Sequence, residues 1–140
     1  MNKILCTVDL SQRSSDVLYA AVSLARLDGG SVTVLRVHEP HAVTHLEDLG
    51  DDFQPVLERG DRAAFKAWLE EERNKVPDVE LHERFEVGDP AATIVDVAAA
   101  EGFDLVVIGH KGHSAIERFL LGSVATKVLH HAPCNVLVVK

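Results

Sequence analysis

The stretch "DLVVIGHKGHSAIERFLLGSVATKV", Asp104–Val128, joins an apolar run to three spaced glycines and the start of a helical pattern. "DLVVIG" (Asp104–Gly109) is continuously apolar and β-branched, as expected of a strand covered on both faces. "SVATKVLHHA" (Ser123–Ala132) reads as a helix, with His130 and His131 in its last turn, where cations suit the dipole. A strand covered on both faces and followed by a helix is the unit of a parallel α/β sheet. The rest of the chain must therefore supply similar units.

It does so in both directions. Upstream, "GDPAATIVDVAAAEG" is a helix with Asp89 as cap, Pro90 at its first position and Gly102 as its stop. Before it, "VELHERFEV" (Val79–Val87) alternates: Val79, Leu81, Phe85 and Val87 share one side, which Glu83 interrupts. That pattern predicts an edge strand with one wet face. "QPVLERGDRAAFKAWLEEERNKV" is helical, with Phe65 and Trp68 as core residues, Gly60 weakening its first turns and "LEEERNK" as a solvated face. "SVTVLRV" (Ser31–Val37) and "KILCTVD" (Lys3–Asp9) are strands. Between them "SSDVLYAAVSLARLDGG" repeats apolar residues at helical spacing, capped by Ser14 or Ser15 and stopped by Gly29-Gly30. Downstream, "CNVLVVK" (Cys134–Lys140) is a last strand. Five strands alternating with four helices predict a doubly wound, five-stranded parallel α/β sheet, with helices on both faces. The chain reads as one domain over residues 1–140, without linker or internal repeat. In such sheets ligands sit beyond the carboxyl ends of the strands, at a topological switch point.

The glycines stand where that crevice is expected. Gly109, two residues, Gly112, nine residues, then Gly122-Ser123 give G-x2-G-x9-G-S. Glycine permits close backbone approach and positive φ. A helix start offers free N–H groups and the positive end of a dipole to an anion, and the Ser123 hydroxyl adds a donor. The pattern is neither Walker A, since no Lys-Ser or Lys-Thr follows the last glycine, nor G-x-G-x-x-G. From these residues alone, an anion site and a structural turn with a helix cap both stay open.

At this point the sequence resembles the universal stress protein family. "GHKGHSAIERFLLGS" matches the G-x2-G-x9-G-[S/T] pattern of its ATP-binding members. "VDLS" (Val8–Ser11) is similar to the end of their first strand, and "HAPCNVLVVK" to their C-terminal signature. The resemblance runs from the first strand to the last. It implies strand order 3-2-1-4-5, a Rossmann-like sheet of the adenine nucleotide alpha hydrolase kind, and an ATP pocket between the ends of strands 1 and 4. It implies Asp9 on the ribose or adenine side and Val37 meeting adenine through its backbone. Gly109, Gly112, Gly122, Ser123 and Val124 would bind ribose and phosphates. Thr7, Val8, Ile108, Lys111, His113 and Ala125 would complete the nucleotide surroundings, with Mg2+ accompanying the triphosphate. It further implies a homodimer built through the C-terminal strand. Thr7, His110 and Ala125 depart from residues common in the family, while the glycines are intact.

Bulk properties bound the alternatives. A net charge of −8 argues against a broad nucleic-acid footprint, which needs a basic face. No apolar run reaches the length of a membrane-spanning helix, and the N-terminus lacks signal-peptide features. Cys6 and Cys134 are distant, sit in apolar stretches and form no CxxC, so they read as reduced core thiols. A cytoplasmic location is the expectation.

Three further features are weighed. His110 and His113 flank Lys111; protonated, they would add charge near phosphates and make affinity pH-dependent, whereas otherwise they are solvated loop residues. Arg118 would reach back to a γ-phosphate or pair with Glu117. His38, His41 and His45 have a spacing that binds zinc on a helix, but Pro40 breaks any local helix, so a polar surface loop is expected and no metal ligand is assigned. The resulting expectation is an ATP-binding regulatory protein that senses nucleotide, with a regulatory protein partner. Hydrolysis needs an oriented water and charge stabilisation at the γ-phosphate, and no residue is placed as the base. The rivals are a slow ATPase or autophosphorylating enzyme acting at Ser123 or Ser114, and a dimeric interaction module without nucleotide.

Overall fold

A computed structural model describes residues 3–40, 53–110 and 121–140. Along them run β1 (Lys3–Thr7), α1 (Ser14–Asp28), β2 (Ser31–His38), α2 (Phe53–Lys75), β3 (Leu81–Val87), α3 (Pro90–Glu101), β4 (Leu105–Gly109), α4 (Ser123–His131) and β5 (Asn135–Val139). All strand pairs are parallel, in the order β3-β2-β1-β4-β5. This is the doubly wound sheet expected, and the order that the family resemblance implied.

The two-residue period of the strands sorts the core into two layers. Ile4, Cys6, Val32, Val34, Leu105 and Val107 point to one face, covered by α1 and α2. Leu5, Leu35, Val37, Val106 and Ile108 point to the other, covered by α3 and α4. The central strands are buried on both faces, which is why their sequences are continuous apolar runs rather than alternating ones. Both cysteines are free thiols. Cys6 is fully buried and burial pushes its thiol well up; Cys134 is half-buried beside the second layer, and burial raises it too.

Helix ends show where local signals decide. In α3 the Asp89 carboxylate accepts from the Ala92 N–H (3.0 Å), Pro90 opens the helix and Gly102 closes it at φ 64°. α1 ends at Gly29, also at φ 64°. Its start differs from expectation: Arg13 is the cap residue and no side chain caps it. The Ser14 hydroxyl is drawn to Asp9, and that of Ser15 donates to Glu72 (3.1 Å).

Three other expectations need correction. β1 ends at Thr7, and Val8 and Asp9 lie past its last paired residue. β3 begins at Leu81; Val79 precedes it but still packs on the core, whereas Val87 is exposed. The acidic run in α2 is not wholly solvated, because Glu72 is buried. It follows Phe65 and Leu69 at the i, i+4, i+7 spacing of one helix face. Phe65 is fully buried and Trp68 half-buried against the same layer.

Candidate functional site

β1 and β4 are neighbours at the sheet centre, yet the helices that follow them go to opposite faces. Beyond the carboxyl ends of two such strands is where a doubly wound sheet opens its crevice. Register sets what surrounds it. The pairing Cys6↔Val107 carried two residues on puts Val8 level with Gly109. Thr7↔Leu35 carried on likewise puts Asp9 level with Val37. The Val8 N–H donates to the Leu35 carbonyl (3.0 Å), where the β1–β2 register ends.

Asp9 is held by its own turn. Its Oδ1 accepts from the Ser11 N–H (2.9 Å) and from the Ser14 hydroxyl (3.2 Å), so the turn before α1 and the helix's first residue fix the carboxylate. Leu10 follows at φ 61°, a left-handed conformation that costs a non-glycine residue about 1–2 kcal/mol. Its side chain packs on the core beneath α1, which offsets the cost. A strained residue beside the crevice is the kind of backbone that persists where surroundings over-determine it.

On the opposite wall, the His110 N–H donates to the Val139 carbonyl (2.7 Å), and the His110 carbonyl accepts from the Gly122 N–H (2.9 Å). That second bond brings the start of α4 back to the end of β4. Gly122 is the cap residue of α4, and among the described residues no side chain caps the helix. Its own carbonyl accepts from the Thr126 N–H and the Thr126 hydroxyl (both 3.0 Å). The N–H groups of Ser123, Val124 and Ala125 belong to the first turn, which has no intrahelical acceptor. Gly122 sits at φ −61°, ψ 157°, so positive φ is not why glycine stands there.

Burial divides the expected site residues. The side chains of Thr7, Val8, Val37, Ile108 and Ala125 are buried, so only backbone is available from them. Ser123 is exposed, and Asp9, Gly109 and Val124 are intermediate. Lys111, Gly112 and His113 lie outside the described residues, as do Ser114, Glu117, Arg118, His41 and His45. Among the described residues no group of three or more His, Cys, Asp or Glu is arranged to hold a metal ion. His38 is engaged otherwise: its Nδ1 lies 2.7 Å from Asp61 Oδ2, and Asp61 also pairs with Arg36. Sequence reasoning missed Arg36 and Asp61; their 25-residue separation gives no local pattern to read.

The comparisons with known proteins agree with this architecture. The family model described as "Universal stress protein family" matches residues 1–140. The chain belongs to the universal stress protein family. A curated universal stress protein relative from Staphylococcus haemolyticus (strain JCSC1435) is 32% identical over 139 residues, 98% of this chain and 83% of its own length. Among solved structures, the universal stress protein UspA from Lactobacillus plantarum superposes with TM-score 0.89 at 29% identity, covering 99% of this chain and 97% of its own. The universal stress protein from Archaeoglobus fulgidus in complex with dAMP matches with TM-score 0.69 at 26% identity, over 100% and 98% of the two chains. Among the described residues of this chain no helix is long and apolar enough to cross a membrane.

Proposed function

We propose that this chain is an adenine-nucleotide-binding regulatory protein that holds ATP in the β1/β4 crevice. One observation carries the reading: the start of α4, uncapped by any described side chain, is tied by the Gly122–His110 bond to the end of β4, the strand paired with β1. Three helix N–H groups and a dipole suit phosphate oxygens there. A fixed carboxylate at Asp9 suits ribose hydroxyls as an acceptor. Ser123 adds a hydroxyl donor, and Gly109, Gly112 and Gly122 let the backbone approach, with Lys111 and His113 on the segment between. The dAMP complex of the Archaeoglobus fulgidus relative supports an adenine ligand in this fold. Mg2+ would accompany the triphosphate, whose oxygens suit a hard cation. Asp9 is the one carboxylate at the crevice among the described residues that this reading uses, and its role is sugar recognition. Sensing is favoured over rapid turnover because the reading gives Asp9, its one described carboxylate, to the sugar and not to an attacking water.

The protein works as a homodimer through β5 in this reading. β5 is an edge strand, and Leu137 on it is exposed, a combination that invites pairing with a second copy. Mass spectrometry of ligand released on denaturing protein purified without added nucleotide tests the function. A stoichiometric adenine nucleotide is expected. A different ligand class, or steady multiple turnover of ATP with Mg2+, would count against a nucleotide sensor.

A further inference from the structure

A charged cluster outside the crevice touches one of its walls. Within a strand, the N–H and C=O of alternate residues face the same side. Leu35 presents its pair to β1, as the bond from Val8 N–H to Leu35 C=O shows. His38 presents its pair to β3, accepting from the Gly88 N–H (2.9 Å). Val37 therefore faces the β1 side, one step past the end of the β1–β2 register. Its N–H and C=O are turned toward the space that β1 has left.

The Val37 carbonyl is not left to itself. Arg36 Nη1 donates to it (2.9 Å). The same guanidinium is gripped from α2: Nε to Asp61 Oδ1 at 3.1 Å and Nη2 to Asp61 Oδ2 at 3.0 Å. This is the planar two-point pairing that fixes an arginine in orientation as well as place. His38 Nδ1 reaches the same Asp61 Oδ2, and its ring stacks on Phe85 at 6.3 Å between centroids. Arg62 lies over the same Phe85 ring, 4.4 Å from its centroid. Side chains of Arg36, His38 and Asp61 are 12–21% exposed, so solvent screens the pairing only in part.

We propose that Asp61 is a positioning residue for base selection: acting through Arg36 and His38, it fixes the Val37 peptide so that one donor and one acceptor face the base. A peptide N–H beside a C=O complements an edge with an acceptor beside an amino donor, as adenine has. It opposes the guanine edge, where those roles are exchanged. A carbonyl has two acceptor directions, so the Arg36 bond leaves one for the base while holding the group in plane. The inference rests on the nucleotide reading above and deepens it from adenine binding to the means of choosing adenine.

The test titrates ATP and GTP separately into wild type, Asp61→Ala and the near-isosteric Asp61→Asn, all as the full chain. Asp61→Ala is expected to cut the ratio of ATP to GTP affinity about tenfold, the worth of one well-aligned hydrogen bond, and Asp61→Asn less. A ratio unchanged in Asp61→Ala, or an equal fall in both affinities, overturns the positioning role. A second arm needs no nucleotide. The Gly88 N–H reports on the end of β2, so its hydrogen exchange should quicken in Asp61→Ala while the amide of Val34 stays protected. No change at Gly88 overturns the proposal as well. Should Asp61→Ala not fold, Asp61→Asn carries both arms with smaller expected effects. Wild type without preference for ATP over GTP refutes base selection itself, and with no binding of either it refutes the nucleotide reading too.

Discussion

Replacing Glu72 by glutamine isolates the charge of a buried carboxylate. Glu72 is 2% exposed, on the face of α2 turned to α1. Its Oε1 accepts from the Ser15 hydroxyl (3.1 Å) and from Lys75 Nζ (3.2 Å), and the Tyr19 hydroxyl is a further donor. Burial pushes the carboxyl up, but the bonds from Tyr19, Lys75 and Ser15 outweigh it and hold it below its ordinary 4.5. A depressed folded value means that the stabilisation is complete above about pH 4.5 and is lost as pH falls through the folded value. Hydrogen bonds to a charged acceptor are worth about 1 kcal/mol more than neutral ones. Ser15 and Tyr19 together then give about 2 kcal/mol. The Lys75 side chain is 57% exposed, so solvent screening leaves it little. Glutamine escapes some desolvation, which offsets part of this, so the expected loss at pH 7 is about 1–2 kcal/mol. For a domain of this size that lowers Tm by about 3–7 °C. Urea unfolding at pH 7 and pH 3 measures it. The two proteins should differ at pH 7, and the difference should shrink as the pH falls and Glu72 is itself protonated. An equal difference at both pH values would refute the charge argument, and a Gln variant more stable at pH 7 would show that desolvation wins.

Two further substitutions separate binding from folding. Gly122→Val keeps a φ, ψ pair that valine adopts readily, so its unfolding midpoint should stay near wild type while ATP affinity falls more than about tenfold as the side chain meets the phosphates; unchanged affinity by titration would favour a module without nucleotide. Leu137→Lys puts a charge on the exposed face of β5, and sedimentation should show a monomer where the proposed β5 pairing predicts a dimer for wild type. A wild type that sediments as a monomer would remove β5 pairing from the account.

The sheet was legible because its signals are local or periodic. Asp89-Pro90 and Gly102 mark both ends of α3 by capping chemistry, and the structure uses all three as read. Val106, Val107 and Ile108 announce a strand buried on both faces by their lack of alternation. The parts that were not legible depend on side-chain partners that the pattern of residue types does not announce. Ser14 looks like a helix cap until Asp9 competes for its hydroxyl. Glu72 looks solvated within "LEEERNK", although its spacing from Phe65 and Leu69 already put it on the buried face. For the proposed site, the places of Gly109, Gly122 and Ser123 at the end of β4 and the start of α4 were legible, and Asp9 lies two residues past the end of β1. Arg36 and Asp61 were not, because an ion pair across a helix and a strand leaves no periodic trace. Val87 shows the converse error: alternation assigned it a buried side, but it stands at the open end of an edge strand.

The central claim is that the β1/β4 crevice holds an adenine nucleotide by its phosphates and its sugar. Calorimetric titration of ATP into wild type stripped of ligand, set beside Asp9→Ala, tests it most directly. Saturable binding of one ATP per chain, weakened in Asp9→Ala with the fold intact, is the predicted result. No binding of ATP to folded wild type would contradict the account.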